Sequence, residues 1–71
     1  MSKLKFLIRK SMCKKVKIIY PGDIIEVDVK AEKHKGELVL IFDNEHCWID
    51  YYSDELKNKN AYLITKVIMN S

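Results

Sequence analysis

The fold class is decided by residues 21–30, which read Pro-Gly-Asp-Ile-Ile-Glu-Val-Asp-Val-Lys. Proline presets its own φ angle, glycine tolerates a positive φ angle and aspartate can bond nearby backbone, so Pro21-Gly22-Asp23 predicts a tight turn. After the turn, branched apolar residues alternate with charged residues over 25–30. Because side chains on a strand point to opposite faces in turn, this pattern predicts an antiparallel strand with one buried and one solvated face.

Period-two alternation of apolar and polar residues recurs along the chain, and helical spacing is nowhere sustained. Besides 25–30, it predicts strands at residues 4–8, 16–20, 37–42, 46–52 and 62–69. The segment 37–42 is apolar on both faces, which is expected of a central strand covered on both sides. Residues 53–57 begin Ser-Asp-Glu-Leu and predict a short helical turn, because serine accepts bonds from free backbone donors and acidic residues favour a first turn.

The chain of 71 residues lies near the lower size limit for one apolar core, so residues 1–71 are predicted to form a single domain. Five or six short antiparallel strands protect their edges best as a small closed or nearly closed barrel. The predicted fold class is therefore all-β. We expect the core to contain Ile25, Val27, Leu40, Phe42, Ile64 and either Trp48 or Ile49.

Four segments carry a resemblance to a known fold: 20–27 (Tyr-Pro-Gly-Asp-Ile-Ile-Glu-Val), 36–43, 47–51 (Cys-Trp-Ile-Asp-Tyr) and 53–56 (Ser-Asp-Glu-Leu). Together they resemble a small SH3-like barrel of the kind found in phages and mobile elements. Members of that fold often open a strand with a Gly-Asp turn and carry a tryptophan near the later strands. The chain lacks an adjacent tryptophan pair, a Pro-x-x-Tyr segment after the tryptophan and an Ala-Leu-Tyr-Asp-Tyr opening. The resemblance therefore implies a fold without the proline-rich ligand groove of signalling SH3 domains.

Composition disfavours membrane and secreted classes. The longest apolar run, residues 38–42, is far shorter than the roughly 20 residues of a membrane-spanning helix. Residues 1–10 mix basic with apolar residues and lack the separate apolar block of a signal peptide. We therefore expect a cytoplasmic protein without membrane contact, in which Cys13 and Cys47 are reduced thiols rather than a disulfide.

The charges are segregated along the sequence. Residues 1–20 hold seven basic side chains and no acid, whereas residues 21–71 hold ten acids and six lysines. In the acidic part, carboxylates surround aromatic residues with no intervening Lys or Arg: Asp43, Glu45, Trp48, Asp50, Tyr51, Tyr52, Asp54 and Glu55. Aromatic anchors ringed by one sign of charge are typical of a binding surface for a basic protein partner. The alternative is that Trp48 packs in the core and the acids solvate the turns.

The basic end allows two interpretations. Lysines on the outward face of a first hairpin can follow a phosphate backbone, and the candidate nucleic-acid contacts are Lys5, Arg9, Lys10, Lys14, Lys15 and Lys17. A single arginine leaves little for bidentate base readout, so binding of this kind is expected to be nonspecific. The alternative, which we favour, is a solvated lysine face that blocks edge-to-edge aggregation.

Neither a metal centre nor a catalytic site is predicted. The soft metal ligands are Cys13, His34, His46 and Cys47, and no Cys-x-x-Cys or His-x-x-x-His spacing is present. On a strand, the adjacent side chains of His46 and Cys47 point to opposite faces, which separates a thiol from its base. No cofactor is expected, and a chain this small has little room for a concave substrate pocket.

By elimination, the sequence predicts a small non-enzymatic module that binds one protein partner through the acidic aromatic surface. Its analogues include phage-encoded inhibitors of host nucleases and of defence systems such as CRISPR effectors, an anti-CRISPR-like role. Two alternatives stay open. One is nonspecific nucleic-acid binding by the basic end. The other is a self-associating protein whose exposed final strand, 62–68, pairs with a second copy, so that either a monomer or a homodimer is expected.

Overall fold

The computed structural model describes residues 2–68. Its regular structure consists of five β-strands and two single turns of 3-10 helix, labelled η1 and η2, and no α-helix lies within that range. The strands are β1 (Lys3–Leu7), β2 (Ile24–Asp28), β3 (Leu38–Asp43), β4 (His46–Tyr51) and β5 (Asn60–Ile68). The turns are η1 (Lys10–Met12) and η2 (Asp54–Leu56). Over the same residues, no helix has the length and apolar character needed to span a bilayer.

All five strands belong to one antiparallel sheet with the order β1-β2-β5-β3-β4. The prediction of an all-β, antiparallel fold is therefore confirmed. Five predicted strands are present with ends shifted by no more than two residues, and the predicted helical turn at 53–57 contains η2. The predicted end of the last strand, Met69, lies outside the described residues.

Apolar side chains are buried on both faces of the sheet. On the first face, the cluster combines Ile25, Val27, Leu40 and Ile49 from the strands with Ile8, Met12, Val16 and Ile19 from the connection between β1 and β2. On the second face, the cluster consists of Val39, Ile41, Ala61 and Leu56, with Trp48 and Tyr52 packed alongside. Neighbouring β3 residues enter opposite clusters because a strand alternates its side chains, which explains why its sequence is apolar throughout.

The expected core residues are largely confirmed. Ile25, Val27, Leu40 and Ile49 are fully buried, and Phe42 and Ile64 pack half-buried against the first cluster. Trp48 is half-buried on the second face.

The predicted strand at 16–20 is wrong. Residues 13–20 contain no strand and instead cover the first face of the sheet. Val16 and Ile19 are each 1% exposed, whereas Ile18 is 62% exposed, so the buried positions are three residues apart rather than two. β2, and not 16–20, is the strand that pairs with β1, and Val16 and Ile19 instead pack into the first cluster.

The turn at Pro21-Gly22 returns the chain to the sheet as predicted. The Asp23 N–H donates to the Tyr20 carbonyl at 3.1 Å, and Gly22 has a φ angle of +98°. A positive φ angle at this position favours glycine. The Gly22 N–H also donates to the Ile8 carbonyl at 2.9 Å, which fixes both ends of the covering connection to the same place.

The sheet has two edges, β1 and β4, and among residues 2–68 no backbone ladder joins them. Closure into a barrel is therefore not confirmed. β5 lies between β2 and β3 in the strand order, but only its residues 60–63 pair with β3, whereas 63–68 pair with β2. The segment predicted as an exposed edge, 62–68, is therefore paired on both sides only near its start. The predicted basic N-terminal hairpin is wrong, because β1 pairs with β2 across a connection that forms no strand of its own.

Candidate functional site

A groove of about 850 Å³ separates the two edges of the sheet. One wall comes from β1 and the residues after it: Lys5, Phe6, Leu7, Arg9, Ser11, Met12, Lys14 and Lys15. The other wall comes from the tip of the β3–β4 hairpin: Asp43, Glu45, His46, Cys47 and Trp48. Consecutive residues of each edge strand line the same space although their side chains point to opposite faces of the sheet. The groove therefore runs along the edges themselves rather than over one face.

The β1 edge presents unpaired backbone to this groove. The Ile8 N–H donates to the Asp23 carbonyl and the Val29 N–H donates to the Ser2 carbonyl, both at 2.8 Å. In an antiparallel pair the residues that exchange bonds alternate, so the even-numbered residues of β1 direct their backbone groups to β2. Lys5 and Leu7 consequently turn their N–H and C=O groups away from the sheet and toward the groove.

The β4 edge follows the same rule. The Tyr52 N–H donates to the Glu37 carbonyl at 2.7 Å, which places the even-numbered residues of β4 in the ladder with β3. Cys47 and Ile49 therefore turn their backbone groups outward, and Cys47 lines the groove. The outward Tyr51 N–H is already occupied, because it donates to the Asp50 carboxylate at 2.7 Å.

Four of the six basic residues singled out in the sequence meet at the groove: Lys5, Arg9, Lys14 and Lys15. Lys10 and Lys17 do not line it. Lys15 forms an ion pair with Asp50 at 3.5 Å. Within the described residues, Lys5, Arg9 and Lys14 have no carboxylate partner. The groove therefore carries positive charge that the chain itself does not neutralise.

The acidic and aromatic residues predicted to bind a partner, which lie between Asp43 and Glu55 and are called here the acidic aromatic set, do not form one surface. Asp43, Glu45 and Trp48 line the groove, whereas Asp54 and Glu55 are exposed on η2. Tyr51 is 46% exposed at the end of β4, and alternation places it on the face opposite Trp48 and Asp50.

Lysines that are distant in sequence also lie against the acidic aromatic set. The Lys59 ammonium bonds the Asp43 carboxylate at 2.7 Å, and Lys15 pairs with Asp50. The Lys33 ammonium lies 6.0 Å from the centre of the Tyr52 ring, within the range of a cation–π contact. Lysines from other parts of the chain therefore partly neutralise the negative charge of residues 43–55, a run that itself contains no Lys or Arg.

Aromatic side chains support the groove from the first face. Phe6 lies 5.5 Å from Phe42, and Phe42 lies 5.6 Å from Tyr62, measured between ring centres in tilted geometry. Such tilted pairs stabilise the packing beyond the area they bury. At the other wall, the buried Trp48 Nε1 has no hydrogen-bond partner among the described residues.

The two cysteines are free, half-buried thiols. Burial raises the pKa of Cys47, and burial together with the negative charge of Asp23 raises the pKa of Cys13. In the described part of the chain, no three residues of the types His, Cys, Asp and Glu are grouped so as to hold a metal ion. Cys47 and its neighbour His46 lie on opposite faces of β4, as the sequence predicts.

Sequence reasoning missed the groove because its walls are about thirty residues apart along the chain. Phe6, Met12 and Cys47 carried no signal of a shared site. The basic residues of the N-terminal part were the available indication, since Lys5, Arg9, Lys14 and Lys15 were singled out in the sequence and line the groove.

Comparison of the sequence with protein-family models, with curated proteins and with solved structures finds no significant match.

Proposed function

We propose that the protein is a non-enzymatic module that binds a protein partner in the groove between β1 and β4. The observation that carries this proposal is the composition of the groove: two unpaired strand edges, with Lys5, Arg9 and Lys14 lacking carboxylate partners among residues 2–68. Unpaired edges and uncompensated charge are both features that a partner satisfies on binding.

The charge of the groove favours an acidic partner over the basic one that the sequence predicts. The expectation of a basic partner rested on a run of carboxylates without lysines. Lys15, Lys33 and Lys59 lie against that run, so its net field is weaker than the sequence indicates. The groove-lining acids Asp43 and Glu45 are outnumbered by four basic side chains, and Asp43 is already paired with Lys59.

Cys47 supports a binding role rather than a catalytic one. A nucleophilic thiol needs a lowered pKa and an adjacent base. Burial instead raises the pKa of Cys47, and the His46 side chain lies on the other face of the strand.

The partner is tested by affinity capture from a nuclease-treated lysate of cells that produce the protein. Four baits are compared: the unchanged chain, Arg9→Glu, Lys14→Glu and, as a matched control, Lys17→Glu. Lys17 is exposed and basic but does not line the groove. A groove partner is retained by the unchanged chain and by Lys17→Glu, and is lost with the two groove variants. Equal capture by all four baits contradicts the proposal.

Nucleic-acid binding is the second candidate function. The groove combines four basic side chains with the aromatic residues Phe6 and Trp48. Proteins that bind single-stranded nucleic acid use the same combination of positive charge and aromatic surface. Gel shifts with a labelled oligothymidine test it, since affinity from phosphate contacts falls steeply between low and physiological salt. Absence of a shift at low salt removes this candidate.

Two more specific predictions from the sequence belong to this proposal. One is the SH3-like barrel, for which the five-stranded antiparallel sheet is a necessary but not a sufficient condition. The other is the anti-CRISPR-like role, in which the captured partner is a host nuclease or a component of a defence system. Identification of the captured protein decides between that role and an ordinary adaptor role.

A further inference from the structure

We propose that the occupant of the groove is an extended acidic segment of the partner protein, added between β1 and β4 as a sixth strand antiparallel to both. This inference rests on the proposed function. It adds the conformation, direction and chemistry of the segment, which binding to the groove alone does not specify.

The strand directions permit one inserted strand to pair with both edges. Each step along the order β1-β2-β5-β3-β4 is antiparallel, and four such steps leave β1 and β4 running in the same direction. A strand antiparallel to β1 is therefore also antiparallel to β4. Its insertion continues the pattern of the sheet on both sides.

The backbone groups needed for this pairing are in place. Lys5 and Leu7 turn their N–H and C=O groups into the groove from β1, and Cys47 does so from β4. Addition of a strand to an exposed edge uses such groups for affinity and the alternate side chains for specificity.

The side chains define the chemistry of the segment. On the first face the groove offers apolar surface from Phe6 and Met12, so every second residue of the segment is apolar. The remaining positions face the uncompensated charges of Lys5, Arg9 and Lys14, which favour Asp or Glu. Alternation of acidic and apolar residues without proline is the expected motif.

The test begins with a random twelve-residue peptide library selected on the unchanged protein. We expect enrichment of alternating acidic and apolar residues. An enriched peptide is then synthesised with a fluorophore, and its affinity is measured for Leu7→Pro, Lys3→Pro, Arg9→Glu and Lys17→Glu. Leu7 and Lys3 both turn their N–H outward on an edge strand, where proline is tolerated, but only Leu7 lines the groove. Thermal melts confirm that each variant is folded.

Strand addition predicts that Leu7→Pro weakens peptide binding about tenfold or more, as expected for loss of a backbone hydrogen bond and a clash at the edge. Lys3→Pro and Lys17→Glu are expected to bind within about twofold of the unchanged chain. N-methylation of either of two consecutive central peptide residues is expected to weaken binding, because successive N–H groups of the segment bond opposite edges.

Other outcomes overturn the inference in distinguishable ways. If Arg9→Glu loses the peptide while Leu7→Pro retains it, the groove binds the segment without strand pairing, and the proposed function survives. If only one of the two methylated peptides is weakened, pairing involves a single edge. If neither Leu7→Pro nor Arg9→Glu weakens any selected peptide, the proposed function fails as well. An oligothymidine that displaces the peptide, or a dimer in light scattering that Leu7→Pro dissolves, assigns the groove to nucleic acid or to a second copy.

Discussion

At the scale of single residues, the ionisation of the Cys47 thiol provides a probe of the groove. Cys47 is the one cysteine that lines the groove, and burial raises its pKa. Since the thiolate is the reactive form, a raised pKa in the folded state means less thiolate at any pH below it than in the unfolded chain.

We therefore predict that Cys47 reacts slowly with an aromatic disulfide reagent at pH 8. The rate should be well below that of the same chain in denaturant, and it should rise as the pH approaches the folded-state pKa. The measurement uses Cys13→Ser, so that one thiol reports. A groove peptide that binds should slow the reaction further. Equal rates in the folded and unfolded chains contradict the prediction.

Among the structural elements, the connection between β1 and β2 differs most from its predicted form. Its apolar residues cover the first face instead of adding a strand, and the choice of buried position distinguishes the two models directly. Alternation over 16–20 places Ile18 with Val16 on one face, whereas the structure buries Ile19 and leaves Ile18 62% exposed.

We predict that Ile19→Ala lowers the free energy of unfolding by about 2–5 kcal/mol, because it leaves a cavity in the first cluster. The matched control, Ile18→Ala, removes the same atoms from an exposed site and is expected to change stability by about 0.5 kcal/mol or less. Urea denaturation of both variants provides the measurement. A larger loss for Ile18→Ala than for Ile19→Ala would restore the strand model.

At the scale of the whole molecule, the sheet ends in two edge strands, β1 and β4. An edge strand is a template for pairing, and charged side chains on it oppose that pairing. β1 carries Lys3 and Lys5 on one face, and both are exposed. Along β4, the Tyr51 N–H is occupied by Asp50, and η1 packs nearby.

We predict that Lys3→Val combined with Lys5→Val converts the protein into a self-associating form, detected by light scattering at increasing concentration. The control replaces Lys17 with Val. Lys17 is exposed too, but it lies in the connection between β1 and β2 and belongs to no strand. Self-association of the control to the same extent would show that general hydrophobicity, and not the edge, is responsible.

The division between predictable and unpredictable features follows from the range of the interactions. Turn chemistry at Pro21-Gly22 and alternation over 25–30 act between near neighbours, so they are readable from the sequence, as is the double burial of β3. The fate of 16–20 was not readable, because its apolar residues fit a strand or a cover equally well. Only the packing of Val16 and Ile19 into the first cluster decides between the two.

By itself, the sequence determined an all-β antiparallel fold, most strand positions, the main core residues and the segregation of charge, all of which arise from local periodicity and composition. The tertiary structure alone decided the strand order, the location of the two edges and the meeting of residues 5–15 with residues 43–48. It also decided which charges are neutralised, since Lys15 and Lys59 reach carboxylates far from them in sequence. Charge pairing and edge exposure depend on contacts between distant segments, and such contacts are set by how all the strands pair and pack around the core.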